Sequence, residues 1–343
     1  MQQERYRVAQ WATGHTGMHS LRKIIEHPHY DLVGLYVYSG AKAGQDAGGL
    51  CGSEPTGVIA TREIEDIVAG RPDCVLYMPL LDHESIDDMC RVLESGANIV
   101  ITVPRFYHPP SLDPEVRQRL EAACKRGETS LYCTGPGPGF ISEVLPMTLT
   151  LLERRVDLIS IVQFADVSDR HSPEFITQFF GIDPATADMS EVANRSARTD
   201  GISLRQLADA LGVPLDDVTA TAIPALARKR VKIGVTTIEA GTVGAWRIPV
   251  TGLRGGKPFL EFCRTMYVTK DLDPPWDVRD TGWHVVVEGD APLDVEIHFA
   301  RENYGPISPG YNAHIAVNAV PAVCDAPPGI RTSDELRLVA CFG

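Results

Sequence analysis

Five short apolar runs punctuate the first part of the chain: Arg7 to Trp11, Leu32 to Tyr38, Cys74 to Met78, Ile99 to Thr102 and Leu131 to Thr134. None alternates polar with apolar, which predicts strands buried on both faces. Between the runs the period changes. Met18, Leu21, Ile24 and Ile25 share one face at helical spacing, as do Ile86, Met89, Val92 and Leu93. A further helix is predicted from Asp113-Pro114 to Gly127. The aspartate can accept from free N–H groups of the first turn, and proline suits the first helical position. Strand and helix alternating at this spacing predict an α/β, Rossmann-type parallel-sheet domain over residues 1–135.

The second half carries a different pattern. Val243 to Thr251 alternates Trp246, Ile248 and Val250, and the runs His284 to Glu288 and Leu293 to Ala300 are separated by Gly-Asp-Ala-Pro. This predicts an α+β domain with a mainly antiparallel sheet, placed at residues 136–303. Residues 304–343 form a third segment. From Tyr304 to Ile330 it is rich in Gly and Pro around a helical stretch, Ala313 to Val320, and is read as returning to the first domain. Ser203 to Val213 resembles the first helix and turn of a helix-turn-helix, but the acidic Pro214-Leu215-Asp216-Asp217 that follows makes a poor recognition helix. An ordinary capped helix with Leu204, Leu207 and Leu211 inward is expected instead.

Composition narrows the partners. With 343 residues and 44% hydrophobic content the chain can bury more than one core. Its 32 Lys and Arg against 45 Asp and Glu give a net charge of −13, a field that repels nucleic acid and anionic membrane surfaces. A small-molecule substrate is expected, with no nucleic acid and no membrane as partner. The opening MQQERYRVAQW contains neither the apolar run nor the cleavage site of a leader, and no later stretch has the apolar length of a membrane span. Cys51, Cys74, Cys90, Cys124, Cys133, Cys263, Cys324 and Cys341 form no C-x-x-C pair. Reduced thiols, no metal site and a cytoplasmic location are therefore expected.

The most specific signal follows the first strand: Ala12-Thr13-Gly14-His15-Thr16-Gly17 and then the amphipathic helix from Met18. A dinucleotide loop reads Gly-x-Gly-x-x-Gly between strand and helix. Its middle glycine lets the backbone approach the pyrophosphate and its last packs helix on strand. Gly14 and Gly17 match, while Ala12 stands in the first glycine's place. All six residues are expected at the cofactor. At the end of the second strand, Tyr38-Ser39-Gly40-Ala41-Lys42 lacks the carboxylate that would hold a ribose 2′-hydroxyl. Ser39 and Lys42 can instead bind a 2′-phosphate, so NADP is favoured over NAD.

Three motifs together, Val8-Ala9-Gln10-Trp11-Ala12-Thr13-Gly14-His15-Thr16-Gly17, Thr134-Gly135-Pro136-Gly137-Pro138-Gly139-Phe140 and Asn318-Ala319-Val320-Pro321, resemble the dihydrodipicolinate-reductase-like oxidoreductases. That group includes 2,4-diaminopentanoate dehydrogenase and the native amine dehydrogenases. The resemblance implies a Rossmann domain, a substrate domain whose open sheet builds a homodimer, and hydride transfer between NAD(P)H and a C=N or C=O carbon in the interdomain cleft. It also adds Asn318 to the cofactor-binding set. The chain departs from the amine dehydrogenase branch, which looks to carry a catalytic Glu just after the strand ending here in Ile101-Thr102. The segment Val103-Pro104-Arg105-Phe106-Tyr107-His108-Pro109 has no carboxylate, which counts against reductive amination. The His-His-Lys pattern of true dihydrodipicolinate reductases is missing too, which counts against lysine biosynthesis.

A hydride enzyme needs from its own residues little beyond positioning and one proton donor or acceptor. Tyr107 and His108, on a loop at the carboxyl edge of the sheet, are candidate proton donors, and Arg105 is a candidate clamp for a carboxylate or carbonyl. A rigid surface turn explains the same residues. Met78-Pro79-Leu80 and Thr102-Val103-Pro104 end two strands and suit contact with ribose and nicotinamide, or equally core packing. Gly137, in the Gly-Pro-Gly-Pro-Gly crossover, permits close approach to the nicotinamide. Asp166, Asp169 and His171 either face the cleft from the second domain or belong to a solvated loop. Three functions follow: a reductase or dehydrogenase of a carbonyl or imine, which is favoured; an amine dehydrogenase; and a dinucleotide-binding sensor without turnover.

Overall fold

The computed structural model describes residues 5–170, 173–299 and 304–337, and within it the chain divides into two units, Met1–Gly139 with Pro309–Gly343, and Phe140–Ser308. The sequence reading placed these breaks at 135/136 and 303/304. Cys341 and His171 lie outside the described residues.

The first unit holds strands β1 (Tyr6–Trp11), β2 (Tyr30–Tyr36), β3 (Cys74–Tyr77), β4 (Asn98–Ile101) and β5 (Ser130–Cys133). With a short strand Gly329–Arg331 they form a wholly parallel sheet, in the order Gly329–Arg331, β5, β4, β3, β1, β2. Beyond β2 a single parallel bridge, Tyr36 to Thr61, marks a vestigial further strand. Helices α1 (His15–Glu26), α2 (Ala47–Cys51), α3 (Ile64–Ala69), α4 (Ile86–Glu94) and α5 (Pro114–Gly127) connect the strands. Every residue of β3 and β5 is buried, as the unbroken apolar runs predict. Asp113 caps α5, its Oδ1 accepting from Glu115 N and Val116 N, with Pro114 in the first turn. The helix Tyr304–Cys324 contributes Ala316, Val317, Val320 and Val323 to a core shared with Val8, Ile24, Leu76 and Val100, and Tyr30 donates its hydroxyl to Val317 O at 2.8 Å. The second strand stops at Tyr36 rather than Tyr38, because the chain turns there into a loop.

That loop is fixed by one carboxylate. Asp46 caps α2 through Gly48 N at 2.8 Å and also accepts from Thr56 N and from Gly57 N at 2.7 Å, tying residues 46 to 57 into one turn-rich unit.

The second unit is built on an eight-stranded sheet in the order Leu272–Asp273, Ile223–Ala227, Val243–Arg254, Lys257–Tyr267, Val156–Asp166, Gly282–Gly289, Leu293–His298, with Asp217–Ala220 also paired to Val243–Arg254. All pairings are antiparallel except that of Lys257–Tyr267 with Val156–Asp166. One face packs under helices: Ile159, Ile161, Val250, Phe262 and Val285 meet Leu204, Leu207 and Ala208. Trp246, fully buried, donates Nε1 to Phe179 O at 2.6 Å. On the opposite face Val162, Arg247, His284 and Val286 are only half-buried. The segment Ser203 to Val213 does not start its own capped helix. It is the end of a long helix, Met189–Ala210, capped by Asp188, whose polar first half carries no strong periodic signal. Leu204 and Leu207 do point inward.

The backbone N–H groups around Asp46, that of Thr56 first, hold its carboxyl below the usual value of 3.8. The native state therefore binds a proton less readily than the unfolded chain, so the stabilisation is complete above that value and is lost as pH falls through the lower native one. Asp46→Ala is expected to lower the melting temperature at pH 7, with the gap to wild type closing in melts recorded below about pH 4. A gap independent of pH would mean that the carboxylate charge is immaterial.

Candidate active site

The turn from β1 into α1 is held by a buried amide. Gln10 is fully buried, and its Nε2 donates to Trp11 O at 3.1 Å and Ala12 O at 3.0 Å, while Ser20 donates to its Oε1 at 2.7 Å. Ala12 takes a left-handed backbone with φ 74°, the conformation that favours glycine at this position of the loop. Gly17 lies directly against it: a Cβ there would press into Ala12 O and stand 2.9 Å from Ala12 C. Gly14 starts α1 with ordinary extended backbone and nothing within 4 Å of where its Cβ would be. The two glycines thus divide the work, one by packing and one by leaving space over the free N–H groups of the helix start.

Lys42, expected from the sequence at the ribose 2′-phosphate, reaches back to this turn. Its Nζ donates to Thr13 O at 2.9 Å and Thr13 Oγ1 at 3.0 Å. Thr13, Gly14, His15, Met18, His19, Arg22 and Lys42 line a cavity of about 440 Å³ that contains no carboxylate. Thr16 follows His15 in the first turn of α1, partly buried. Ser39 is exposed, its carbonyl accepting from Lys42 N. Arg62 stands nearby, its Nη1 3.8 Å from where a Cβ on Gly40 would sit, and sequence reasoning missed it because it arrives 23 residues after Ser39. Under this end of the sheet lies an aromatic platform: Trp11 stacks on Tyr36 at 3.8 Å and donates to the hydroxyl of Tyr38, which is partly exposed.

At the other end of the sheet edge the sequence candidates separate. Met78 and Val103 are buried, Thr102, Pro104 and Pro79 are partly exposed, and Leu80 is 70% exposed. Tyr107 is buried with its hydroxyl 3.2 Å from Ser333 Oγ, and buried His108 holds Ser111 Oγ at 2.6 Å through Nδ1. Both thus serve the packing of the first unit in this structure. Arg105 instead pairs with a residue that the sequence did not single out, Glu84, whose side chain is almost wholly buried. Gly137 lies in a tight loop closed by the Pro136–Gly139 bridge, and Gly135 of that loop faces Asn312. Asn318 accepts from Lys23 Nζ at 2.6 Å, two turns along α1 from the phosphate loop. Asp166, the last residue of the strand Val156–Asp166, and Asp169 just beyond it are both exposed, so the expected loop begins only after Asp166. A second missed carboxylate, Glu143, is fully buried in a π-helical turn, Phe140–Val144, where Gln206 Nε2 donates to it at 3.3 Å. Among the described residues no group of three or more His, Cys, Asp or Glu gathers to hold a metal, and no helix is long and apolar enough to cross a membrane.

The model of the 2,4-diaminopentanoate dehydrogenase C-terminal domain matches residues 140–342, more than half of the chain. The protein belongs to this family. An amine dehydrogenase of Streptomyces virginiae is 29% identical over 351 residues, covering 97% of this chain and 96% of that protein. The 2,4-diaminopentanoate dehydrogenase of Acetoanaerobium sticklandii is 22% identical over 294 residues, covering 79% and 78%. The amine dehydrogenase of Mycobacterium smegmatis shares the fold, with a TM-score of 0.77 at 20% identity over 98% of this chain and 97% of its own. This member of the diaminopentanoate dehydrogenase family is an NAD(P)-dependent oxidoreductase acting at a C=O or C=N carbon.

The loop's geometry separates two glycine substitutions. Gly17→Ala forces backbone against backbone and is expected to cost about 2–4 kcal/mol of stability. Gly14→Ala meets open space, so it should melt like wild type while weakening dinucleotide binding roughly tenfold or more. Thermal melts and cofactor titration of the two variants check this. A Gly17→Ala protein as stable as wild type would refute the packing role.

Proposed function

We propose that this chain transfers hydride between NADP(H) and the carbonyl or imine carbon of a small organic substrate. The observation that carries the cofactor choice is the carboxylate-free cavity at the phosphate loop, with Lys42 pinned to Thr13 and Arg22, His15 and His19 around it. A carboxylate at the end of β2 would repel a 2′-phosphate. Lys42, Ser39 and Arg62 offer it charge and hydrogen bonds instead. The residues fit the group: Gly14 leaves room for the pyrophosphate, the first turn of α1 presents N–H groups to it, and Tyr38 offers an aromatic face to the adenine. When bound, the dinucleotide supplies or takes up the hydride. The chain's residues orient both partners and handle the proton. Ribose and nicotinamide contacts fall to the ends of β3 and β4, at Met78, Pro79, Leu80, Thr102, Val103 and Pro104, with Gly137 beside them. The Streptomyces relative, an amine dehydrogenase, favours a substrate centre that bears nitrogen.

The homodimer belongs to the same proposal. The opposite face of the second unit's sheet, covered in part by Trp276 and Val278 and with Val162 and Val286 half-buried on adjacent strands, suits pairing with a second copy. The seven described cysteines are all unpaired, which supports a reducing, cytoplasmic setting.

Fluorescence titration should give a tighter Kd for NADPH than for NADH. Lys42→Ala and Arg62→Ala should each weaken NADPH roughly tenfold and leave NADH within about twofold. Equal loss for both cofactors would remove the 2′-phosphate assignment, and failure of both to bind would remove the hydride reading. In light scattering the protein should run as two chains, with Val286→Lys shifting it to one; a monomeric wild type would overturn the dimer.

A further inference from the structure

Glu84 is a carboxylate whose burial is not explained by folding. Its side chain is 1% exposed, and its partner is Arg105, whose Nε stands 2.6 Å from Oε1 while the arginine side chain remains 49% exposed. Neither oxygen of Glu84 makes a well-aligned hydrogen bond among the described residues. Asp200, whose side chain is 4% exposed, also rests on one arginine and keeps an unmatched Oδ2, but Arg264 Nη2 makes an aligned hydrogen bond to its Oδ1 at 2.6 Å, and further acids are held by the backbone. Asp46 accepts from several backbone N–H groups, and Asp113 and Asp188 cap helices. A dehydrated carboxylate given one off-axis cation and no N–H donors is a costly arrangement, which active sites retain and scaffolds avoid.

Its position says what it serves. Glu84 follows β3 and Arg105 follows β4, and the two strands are parallel neighbours, so both residues lie at the carboxyl edge of the sheet. The phosphate loop follows β1, on the other side of β3. Lys42, Ser39 and Arg62 belong to the β2 side. A dinucleotide whose adenine half lies over β2 must extend its reacting end over β3 and β4. Arg105 is half in water at the tip of a flexible side chain and can leave its partner at little cost, whereas Glu84 cannot follow it. Only another cation compensates the carboxylate left behind. A neutral alcohol does not, but an ammonium group does.

We propose that Glu84 accepts the proton of a substrate nitrogen and that Arg105 holds the place of the substrate's ammonium until it arrives. The proposal rests on the hydride-transfer reading above. In the oxidative direction a protonated primary amine, RR′CH–NH3+, gives one N–H proton to Glu84. The freed lone pair forms the C=N bond as hydride leaves the carbon for the oxidised nicotinamide, giving the iminium RR′C=NH2+. Water adds to that carbon and ammonia departs, leaving the ketone. The sum is RR′CH–NH3+ + NADP+ + H2O → RR′C=O + NADPH + NH4+ + H+, the last proton being the one that passed through Glu84. The carboxylate missing from residues 103–109 is thus supplied by the neighbouring loop, and Arg105 is a positioning residue.

The test follows NADPH oxidation with a panel of aliphatic and cyclic ketones, with and without ammonium chloride, in wild type, Glu84→Gln, Glu84→Asp and Arg105→Ala. Wild-type turnover should require ammonium. Glu84→Gln should lower it by about 100-fold or more, while NADPH binding by fluorescence and the melting temperature stay near wild type. Glu84→Asp should recover part of the rate. Arg105→Ala, which removes the competing cation, should lower the KM for ammonium; a carboxylate clamp or a structural role for Arg105 gives no such fall. Wild-type ketone reduction indifferent to ammonium, or Glu84→Gln at the wild-type rate, overturns the assignment of Glu84 and leaves the hydride reading standing. Absence of dinucleotide binding overturns both.

Discussion

The amide of Gln10 is the interaction on which the nucleotide end of this molecule depends. It is the one polar side chain in the buried second half of β1, and its hydrogen bonds go to the turn that follows and to the helix beyond: Trp11 O, Ala12 O and Ser20 Oγ. A buried amide left unpaired costs more than a made bond returns, so the three partners are constrained together. The constraint explains how an alanine can occupy a left-handed position. A non-glycine residue there is strained by roughly 1 kcal/mol, and the amide bonded to Ala12 O and Trp11 O offsets that strain. Once Ala12 O is fixed, only glycine fits at 17, α1 is drawn against β1, and its first turn opens toward the cavity lined by Lys42.

From that anchor the parallel order of the sheet distributes charge. Cationic groups, Lys42, Arg22 and Arg62, gather where phosphates are expected, around β1 and β2. The buried carboxylate lies two loops away, beyond β3. In a chain of net charge −13 this separation is not a consequence of composition. It places an anion-seeking region and a cation-seeking one on the same sheet edge, which is the arrangement a polyanionic cofactor and a cationic substrate both require.

What the sequence revealed and what it concealed divide along sequence distance. The five parallel strands, the Asp113 cap and the glycine loop are local patterns, and each reappears within a residue or two of its predicted place. Lys42 was half legible: its distance from the loop was readable, its bond to Thr13 was not. Tyr107 and His108 looked available because their partners are hidden in sequence. Ser333 comes from more than two hundred residues downstream, and Ser111 lies in a turn whose geometry no periodicity announces. Glu84 was invisible for a related reason. Nothing in Leu81-Asp82-His83-Glu84-Ser85 distinguishes it from a solvated acidic loop, since its burial and its arginine are set by tertiary structure.

That concealment bears on how an absent residue should be weighed. Reading Val103 to Pro109 alone, the lack of a carboxylate counts against nitrogen chemistry. Catalysis, however, asks for a charge at a point in space, and in a parallel sheet neighbouring strands run about 4.8 Å apart. The loops after β3 and β4 therefore open onto the same small region, within reach of one glutamate side chain. An acid lost from one loop can be replaced from the next without moving the reacting centre, provided that a compensating cation keeps the empty site from carrying a bare buried charge. Arg105 meets that condition here, projecting from the very segment in which the family resemblance leads one to look for an acid. On the proposed reading the basic residue at that place is the partner of Glu84, and the lack of an acid in residues 103–109 does not by itself count against a nitrogen-bearing substrate.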